Sequence, residues 1–199
     1  MSCVRALLLS VLLTLSITAP AQASSTGFVN LRDVDPTIRH DIRYFSAHNF
    51  VGEPVDGYRE PLCLLTKPAA KALRRVQREV LRRGYTLKVY DCYRPQRAVD
   101  HFVRWAKDLA DERMKIEFYP RVDKTRLFED GYIAEKSGHS RGSTLDVTIV
   151  RLPPEPQRPF VPGEPLVNCF APGQFPDTPS TWPPATTAST PSRTPTTRA

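Results

Sequence analysis

A histidine and an aspartate seven residues apart suggest chemistry by their types and spacing. They belong to the run Ser137–Asp146, which reads Ser-Gly-His-Ser-Arg-Gly-Ser-Thr-Leu-Asp. An imidazole on a loop and a carboxylate at the start of a strand can bind one metal ion, and Gly142 permits the tight backbone path between them. Zinc accepts both ligand types. The alternative is that His139 is a polar loop residue and that Asp146 caps the strand.

An arginine that directly follows a predicted strand is the second candidate. The segment Asp91–Pro95 reads Asp-Cys-Tyr-Arg-Pro, and loops at strand ends often carry functional residues. Arg94 could stabilise negative charge that develops on a metal-bound substrate, or it could be a surface residue that pairs with a carboxylate. Upstream, Tyr44, Asn49-Phe50 and Asp56–Tyr58 could form the floor of a pocket or belong to the core and its turns.

Two helices and two strands would position these residues. Apolar residues recur at helical spacing after Thr66, with Pro68 in the first turn and Gly84 as the stop. A second helix is predicted from the turn at 93–95 to about residue 110.

The strands are predicted over 86–92 and 145–150. In the first of them, Leu87 and Val89 alternate with Lys88 and Tyr90, which predicts one buried and one exposed face. Helices grouped against a small, mainly antiparallel sheet are the simplest packing, so we predict an α+β fold.

The first 23 residues are predicted to be an export signal. Arg5 precedes an apolar run over 6–17, and Ala21-Gln22-Ala23 has the small-x-small pattern of a cleavage site. A membrane anchor is the alternative, but this run is too short to cross about 30 Å of hydrocarbon. We therefore expect an exported chain that begins near Ser24, in the exterior, the periplasm or the cell wall, without a transmembrane segment.

Composition and charge narrow the classes of partner. With 40% hydrophobic and 25% charged residues, neither a disordered polyelectrolyte nor a polytopic membrane protein fits. The net charge is +7, so an exported form could be attracted to an anionic wall or membrane surface. The arginine pairs at 74/75 and 82/83 are interpreted as the solvated side of a helix, so no nucleic-acid partner is predicted, and the sequence identifies no protein partner.

Cysteine and proline usage mark two irregularities. Without Cys3, which would leave with the signal, three cysteines remain, an odd number for an exported protein. Cys63 and Cys92 are one possible disulfide, which leaves Cys169 alone. Of 20 prolines, 13 fall between Pro153 and Pro195, and sequence so rich in proline cannot form helices or central strands.

The segment from about Phe28 to Phe170 resembles the zinc-dependent D-alanyl-D-alanine dipeptidases, a family associated with vancomycin resistance. The motifs that carry the resemblance are Tyr44, Asn49-Phe50, Val55–Tyr58, Tyr90–Pro95, and Ser137-x-His139-x-x-Gly142-x-x-x-Asp146. One departure lies inside the last motif, where Thr144 replaces the usual alanine. The resemblance implies the fold of zinc DD-carboxypeptidases and hedgehog-type domains.

The resemblance also implies a role for each matched residue. His139 and Asp146 would be two of three zinc ligands, Arg94 would stabilise the tetrahedral intermediate, and Ser137 would lie near the substrate. The substrate would be the dipeptide D-Ala-D-Ala, held in a small cavity that excludes longer peptides, with a role in cell-wall peptide metabolism.

The family pattern further requires a C-terminal Glu-x-x-His, which supplies the general base and the third zinc ligand. No histidine follows Asp146 in this sequence, and Glu164 is the last glutamate. The general-base glutamate and the third histidine ligand are therefore absent, and we expect weak zinc binding and little turnover from these residues alone.

A shifted reading frame would explain both irregularities. Trp182 has the single codon TGG, and codons for its neighbours can be chosen around it. When the bases from Pro179 onward are regrouped by one position, they encode Ile-Asp-Met-Ala-Thr-Gly-Tyr-Asp-Cys-Phe. That stretch resembles the Asp-Met-x-Thr-x-x-Asp segment that precedes the family's Glu-x-x-His, and its cysteine could pair with Cys169. We predict a slip between Ala171 and Pro179.

The predicted organisation is therefore a signal over 1–23, an incomplete dipeptidase-like domain over 24–175, and a frame-shifted, disordered tail over 176–199. The alternative function is a non-catalytic exported module that binds the cell wall, with the tail as a Pro/Thr-rich stalk.

Overall fold

Short strands and helices alternate along the chain, as the mixed apolar periodicity predicts. The structure is a computed structural model that describes residues 27–171. Two of its three strand pairs are antiparallel and one is parallel, so the predicted α+β class, with a mainly antiparallel sheet, is confirmed. The predicted export signal and tail lie outside the described residues, and the domain boundaries stay predictions.

Nine strands and α-helices, named in chain order, form the regular structure of residues 27–171. They are β1 (Phe28–Asn30), α1 (Leu31–Val34), β2 (Arg39–His40), β3 (Leu64–Thr66), α2 (Lys67–Arg82), β4 (Tyr85–Asp91), α3 (Gln96–Lys107), α4 (Lys115–Phe118) and β5 (Asp146–Arg151). Strand β1 pairs with β3, and β4 lies between β2 and β5 in a three-stranded sheet. None of the helices in the described part of the chain combines the length and apolar character needed to cross a membrane.

Helix α2 begins and ends where the sequence predicts. Thr66 occupies the N-cap position, Pro68 lies in the first turn, and Gly84 follows the helix with a φ of 78°. The Thr66 hydroxyl does not cap the helix, because its Oγ1 lies 3.0 Å from Oγ of Ser143 and forms a hydrogen bond there. The helix start is therefore connected to the loop that follows His139.

A buried glutamine fastens α2 to the central strand. Gln77 is fully buried, and its Nε2 donates to the hydroxyls of Thr37 and Thr86, at 2.9 Å each. Its Oε1 accepts the backbone N–H of Leu87 at 2.9 Å. All three groups would be costly to bury without partners, so this amide fixes the position of the helix on the sheet.

Both faces of β4 are buried, and the predicted exposed face is wrong. Lys88 is 2% exposed and Tyr90 is 4% exposed. The Lys88 ammonium pairs with Asp41 at 2.9 Å and donates to Oε1 of Gln157 at 2.7 Å. Chain beyond β5 thus covers a face that the alternation alone assigns to solvent.

Two apolar clusters hold the layers together. One lies between α1, α2, β3 and β4 and contains Leu31, Leu65, Leu73 and Val89. The other surrounds α3 and contains Ala98, Phe102, Trp105 and Ala106 together with Phe118 and Leu127. Helix α3 ends at Lys107, three residues before the predicted end.

A disulfide joins Cys63 to Cys92, with 5.1 Å between their Cα atoms. It connects the residue before β3 to the residue after β4. Both cysteines are buried, and the carbonyl of Cys63 accepts the N–H of Leu31 at 2.9 Å. Cys169 is the free cysteine of the described residues.

His40 on β2 should make folding stability depend on pH. Burial and the charge of Arg32 lower the pKa of His40 from 6.5 to about 4, and neither ring nitrogen has a hydrogen-bond partner among the described residues. Between those values the unfolded chain binds a proton that the folded chain does not, so stability falls as pH drops from 6.5 towards 4. Allowing for partial exposure, we expect a loss of about 1–2 kcal/mol.

The measurement is denaturant unfolding of wild type and His40→Leu across this pH range. Wild type should lose stability relative to the variant as the pH falls, because the variant has no imidazole to protonate. His101→Gln is the control, because it also removes one imidazole, but from a ring that lies beside the carboxylates of Glu53 and Asp56. Parallel curves for wild type and His40→Leu would show that His40 does not cause the dependence.

Candidate active site

A β-bulge at the end of β4 aligns two carboxylates. Val89 pairs with Val147, but Asp91 pairs with Asp146, so β4 advances by two residues while β5 advances by one. Tyr90 is the extra residue. Bulges commonly redirect side chains beside active sites, and here the bulge sets Asp91 directly opposite Asp146.

The His139 loop is a 3₁₀ turn over Gly138–Arg141. Ser137 precedes the turn, and its Oγ accepts the backbone N–H of His139 at 3.2 Å. Gly142 ends the turn with a φ of 72°, a conformation that costs other residues about 1–2 kcal/mol. The turn therefore presents the imidazole from a rigid, locally capped loop.

Phe28 of β1 packs under both candidate loops. Its ring contacts Tyr93 of the arginine loop edge-on, with 4.9 Å between ring centroids. A Cβ at Gly142 would overlap the same ring, so only glycine fits there. The carbonyl of Gly142 also accepts the N–H of Thr66 at 2.8 Å, which fixes this loop against the start of α2.

The surroundings of His139 fix its tautomer. Nδ1 lies 3.0 Å from the carbonyl oxygen of Cys92 and 3.2 Å from Oδ2 of Asp91. Both neighbours can only accept, so in the neutral ring Nδ1 carries the proton and the lone pair is on Nε2. Nε2 lies 3.6 Å from Oδ1 of Asp146. This is the arrangement in which a histidine is ready to bind a metal ion through Nε2.

Asp91 is the buried centre of the hydrogen-bond network. Its carboxylate is 1% exposed; Oδ1 accepts from the Tyr58 hydroxyl at 2.7 Å, and Oδ2 accepts from Nε and Nη2 of Arg94 at 2.9 and 2.7 Å. Burial alone raises the pKa of Asp91, but the hydrogen bond from His139, the charges of Arg94 and His139 and the Tyr58 hydroxyl together lower it. The group therefore stays ionised and anchors Arg94.

Arg94 extends from Asp91 towards the other candidate residues. Nη1 donates to Oγ of Ser137 at 3.3 Å, and Nη2 lies 3.7 Å from Oδ2 of Asp146. Burial lowers the pKa of Arg94, but the neighbouring Tyr44, Asp91, Tyr58 and Asp146 raise it by more, so the pKa is above its usual value. The guanidinium therefore remains charged.

Three residues cluster as possible metal ligands: Asp91, His139 and Asp146 have donor atoms within 4.8 Å of one another. The Asp91 carboxylate already accepts from four N–H or O–H groups. We therefore assign Asp91 the role of positioning Arg94 and His139 and not that of a metal ligand. His139 Nε2 and Asp146 Oδ1 remain, and their 3.6 Å separation is close to the roughly 3.4 Å between tetrahedral zinc ligands. These donors fit zinc, and the described residues supply two of the three protein ligands usual in a catalytic site.

Asp146 is the exposed partner in this pair. Its side chain is 50% exposed, in contrast to the buried Asp91. Burial and the charge of Asp91 raise the pKa of Asp146, while the charges of His139 and Arg94 oppose that rise. A cation bound between Asp146 and His139 would stabilise the ionised carboxylate.

A cavity of about 460 Å³ opens beside the cluster. Aromatic and cationic side chains form much of its wall, together with the two candidate ligands; it is lined by Arg43, Tyr44, Asn49, Phe50, Tyr90, Arg94, Phe102, Phe118, Tyr132, Ile133, His139, Leu145, Asp146 and Val147. Of the residues predicted upstream, Tyr44, Asn49 and Phe50 line the cavity.

The other predicted residues have structural roles close to the site. Asn49 lines the cavity but also shapes its own loop, because its Nδ2 donates to the carbonyls of Ser46 and Glu53 at 2.6 and 2.8 Å. Ser137 connects Arg94 to the His139 turn. Asp91 is a site residue that was not predicted to have a role, although it begins the arginine motif; its position close to Arg94 is the signal that could have identified it.

The chain's relatives point to one enzyme family. Residues 24–154 match the M15 peptidase family, described as D-Ala-D-Ala dipeptidase. The chain belongs to this family. All four candidate residues, Arg94, Ser137, His139 and Asp146, lie inside the matched segment, and peptidases of this family depend on a metal ion.

Individual relatives agree with that assignment. A D-alanyl-D-alanine dipeptidase of Enterococcus faecalis is 42% identical over 126 residues, which cover 63% of this chain and 62% of the relative. One from Streptomyces coelicolor is 44% identical over 115 residues, covering 58% and 57%, and one from Escherichia coli is 27% identical over 127 residues, covering 64% and 55%. The chain thus spans about three fifths of the length of these relatives.

Gly142→Ala should destabilise the fold through both its backbone angle and the Phe28 ring. We expect a loss of about 2–4 kcal/mol in the free energy of unfolding, measured by denaturant titration. Gly131→Ala is the matched control: Gly131 has a φ of 78°, but an added methyl group there would meet open space, so only the backbone cost of about 1–2 kcal/mol applies. In a Phe28→Ala background, Gly142→Ala should lower the free energy of unfolding by no more than Gly131→Ala does. An equal cost of Gly142→Ala with and without Phe28 would show that the ring does not cause the extra loss.

Asp91→Asn should weaken the metal centre while preserving its shape. The neutral amide leaves the Arg94 guanidinium without its counter-ion, which should cost about 3–5 kcal/mol of stability. It also removes a carboxylate partner of His139, so zinc affinity should fall about 10- to 100-fold. Zinc competition with a chromophoric chelator measures this, and the exposed Asp100→Asn is the control. Unchanged zinc affinity in folded Asp91→Asn would refute the positioning role.

Proposed function

We propose that the protein acts as a zinc peptidase on the dipeptide D-alanyl-D-alanine. The observation that carries the proposal is the pairing of His139 Nε2 with Asp146 Oδ1, 3.6 Å apart, beside a charged Arg94 at the edge of the cavity. Family membership supports the peptidase class, and the relatives' names supply the substrate.

The size and lining of the cavity suit a small, charged substrate. Its volume of about 460 Å³ is near the lower end of ordinary ligand pockets, about 300–1,000 Å³. Arg43 and Arg94 contribute positive charge to the wall, and Tyr44, Phe50 and Phe102 contribute apolar surface. A dipeptide has both short apolar side chains and a terminal carboxylate, which these two kinds of surface can contact.

Each residue near the cluster can be given a chemical role. His139 and Asp146 would hold zinc, which when bound supplies Lewis-acid activation of water and of the scissile carbonyl. Arg94, held by Asp91, would stabilise negative charge that develops on the carbonyl oxygen. Ser137 keeps the guanidinium beside the His139 turn and would lie near the substrate.

These 199 residues contain no Glu-x-x-His after Asp146. In an active enzyme, the third ligand and the general base that the family resemblance implies would come from other sequence, for example from the continuation that the shifted reading frame would restore. The chain by itself should bind zinc weakly and turn over little substrate.

Export is part of the proposal. The Cys63–Cys92 disulfide supports it, because disulfides persist mainly in oxidising compartments. The missing glutamate and histidine favour a second candidate function, a non-catalytic exported module that binds wall peptides through the same cavity.

D-Alanine release from D-Ala-D-Ala tests these functions. We compare the 199-residue chain with a frame-restored version, each with added zinc, and measure bound zinc in parallel. The restored chain should be active, and a chelator or His139→Ala should reduce turnover by about 10³-fold or more; His101→Ala is the control. The gene should also be resequenced across codons 171–179.

The possible results separate the candidates. Robust turnover by the 199-residue chain would show that this enzyme does not need the family's Glu-x-x-His. Dipeptide binding without turnover by either chain would favour the wall-binding module. An intact reading frame without a downstream Glu-x-x-His in any frame would refute the frame-shift hypothesis.

A further inference from the structure

The outer face of α2 carries a continuous row of positive charge. Six basic residues on the helix are exposed. At 100° per residue they fall within an arc of about 100°; they are Lys67, Lys71, Arg74, Arg75, Arg78 and Arg82. We call this set the cationic row. The buried residues Ala70, Leu73 and Gln77 lie on the other side of the helix.

Little negative charge opposes the cationic row. Glu79 is the single acidic residue of α2, and it pairs with Arg82 and Arg83 at the C-terminal end. Among the described residues no ion pair joins the other five members of the row. With six basic residues and one acidic residue, the helix holds a net +5 of the chain's +7.

The candidate active site does not use this charge. No residue of α2 lines the cavity, and the sheet-facing side of the helix is fixed by Gln77. Concentrated like charge weakens a fold through self-repulsion, and it adds nothing to the binding of a small dipeptide. A separate anionic partner would account for it.

We propose that the cationic row binds a linear phosphodiester polymer of the cell envelope. Four of the six residues are arginines, whose planar guanidinium groups bind phosphate oxygens in pairs. A helix of 16 residues is about 24 Å long, so one extended polymer strand can contact the whole row. The predicted export would bring the chain to such polymers.

A membrane surface fits the row less well. Helices that lie in a membrane interface place apolar or aromatic residues beside their cations, so that one side enters the lipid. The exposed large hydrophobic side chain of α2 is Val76, 49% exposed, and it lies about 150° around the helix from the centre of the row. The sheet and α1 cover much of the remaining surface.

Duplex nucleic acid fits the row less well because the predicted export would separate the chain from intracellular DNA. Among the side chains that read bases, arginine and lysine contact guanine, and Asn or Gln contacts adenine. The one amide side chain of α2 is Gln77, which is buried against Thr86 and Leu87. The row can therefore contact phosphate oxygens or guanine but has no exposed amide for adenine, and duplex DNA is kept as a comparison arm of the test.

The test measures binding of poly(glycerol phosphate) to the 199-residue chain by fluorescence anisotropy at about 25 to 200 mM salt. Arg74→Gln with Arg78→Gln should weaken binding about tenfold or more at low salt and reduce the slope of log K against log [salt] by about 1–2. Arg59→Gln with Lys107→Gln is the matched control, because both residues are exposed, the net charge changes equally and neither lies on α2. Thermal unfolding verifies that both double variants fold.

Anionic phospholipid vesicles and duplex DNA are the comparison arms. The proposal holds if the polymer binds more tightly than either and if only the α2 variant loses binding. It is overturned if the polymer does not bind, if both double variants lose affinity equally, or if vesicles or DNA bind more tightly with the same dependence on Arg74 and Arg78. The outcome is independent of peptidase activity.

Discussion

The buried carboxylate of Asp91 is the interaction on which the candidate site depends. An ionised group with 1% exposure is stable only when its oxygens are fully hydrogen-bonded and its charge is compensated. Tyr58, Arg94 and His139 meet that requirement, and each comes from a different segment of the chain. Because one carboxylate fixes all three, the direction of the Arg94 guanidinium and the tautomer of His139 are set together. The site is thus organised from its buried side towards the exposed Asp146.

The local elements around this network could be predicted from sequence. Helix α2 has clear periodicity and a glycine stop, and the tight turn after His139 is encoded by Gly142. The reason is that these features depend on residues close together in the chain. The exposed face predicted for β4 was wrong because Lys88 is covered by Asp41 and Gln157, which are remote in sequence. No periodicity within a seven-residue strand carries information about what will cover it.

The same distinction applies within the site. His139 and Asp146 could be recognised because one loop and one strand carry both. Asp91 offered only the weaker signal of its position close to Arg94, because its importance arises from Tyr58 and His139, 33 and 48 positions away in the chain, and from the bulge that turns it towards Asp146. Phe28 is a similar case: as an apolar residue in a short strand it has no distinctive pattern, but it supports both loops. Residues that position a site are harder to predict than those that perform its chemistry, since their partners are set by the tertiary fold.

The charges around the cluster explain why a divalent cation suits it. Asp91 and Asp146 contribute two negative charges and Arg94 one positive charge, so these three side chains around His139 carry a net negative charge. Asp91 is compensated by Arg94 through two hydrogen bonds, whereas Asp146 has only a 3.7 Å approach from the same guanidinium and a raised pKa. The deficit of positive charge is therefore local to Asp146. A metal ion shared with His139 would remove this deficit, and it would do so without disturbing the pairing that keeps Arg94 in place.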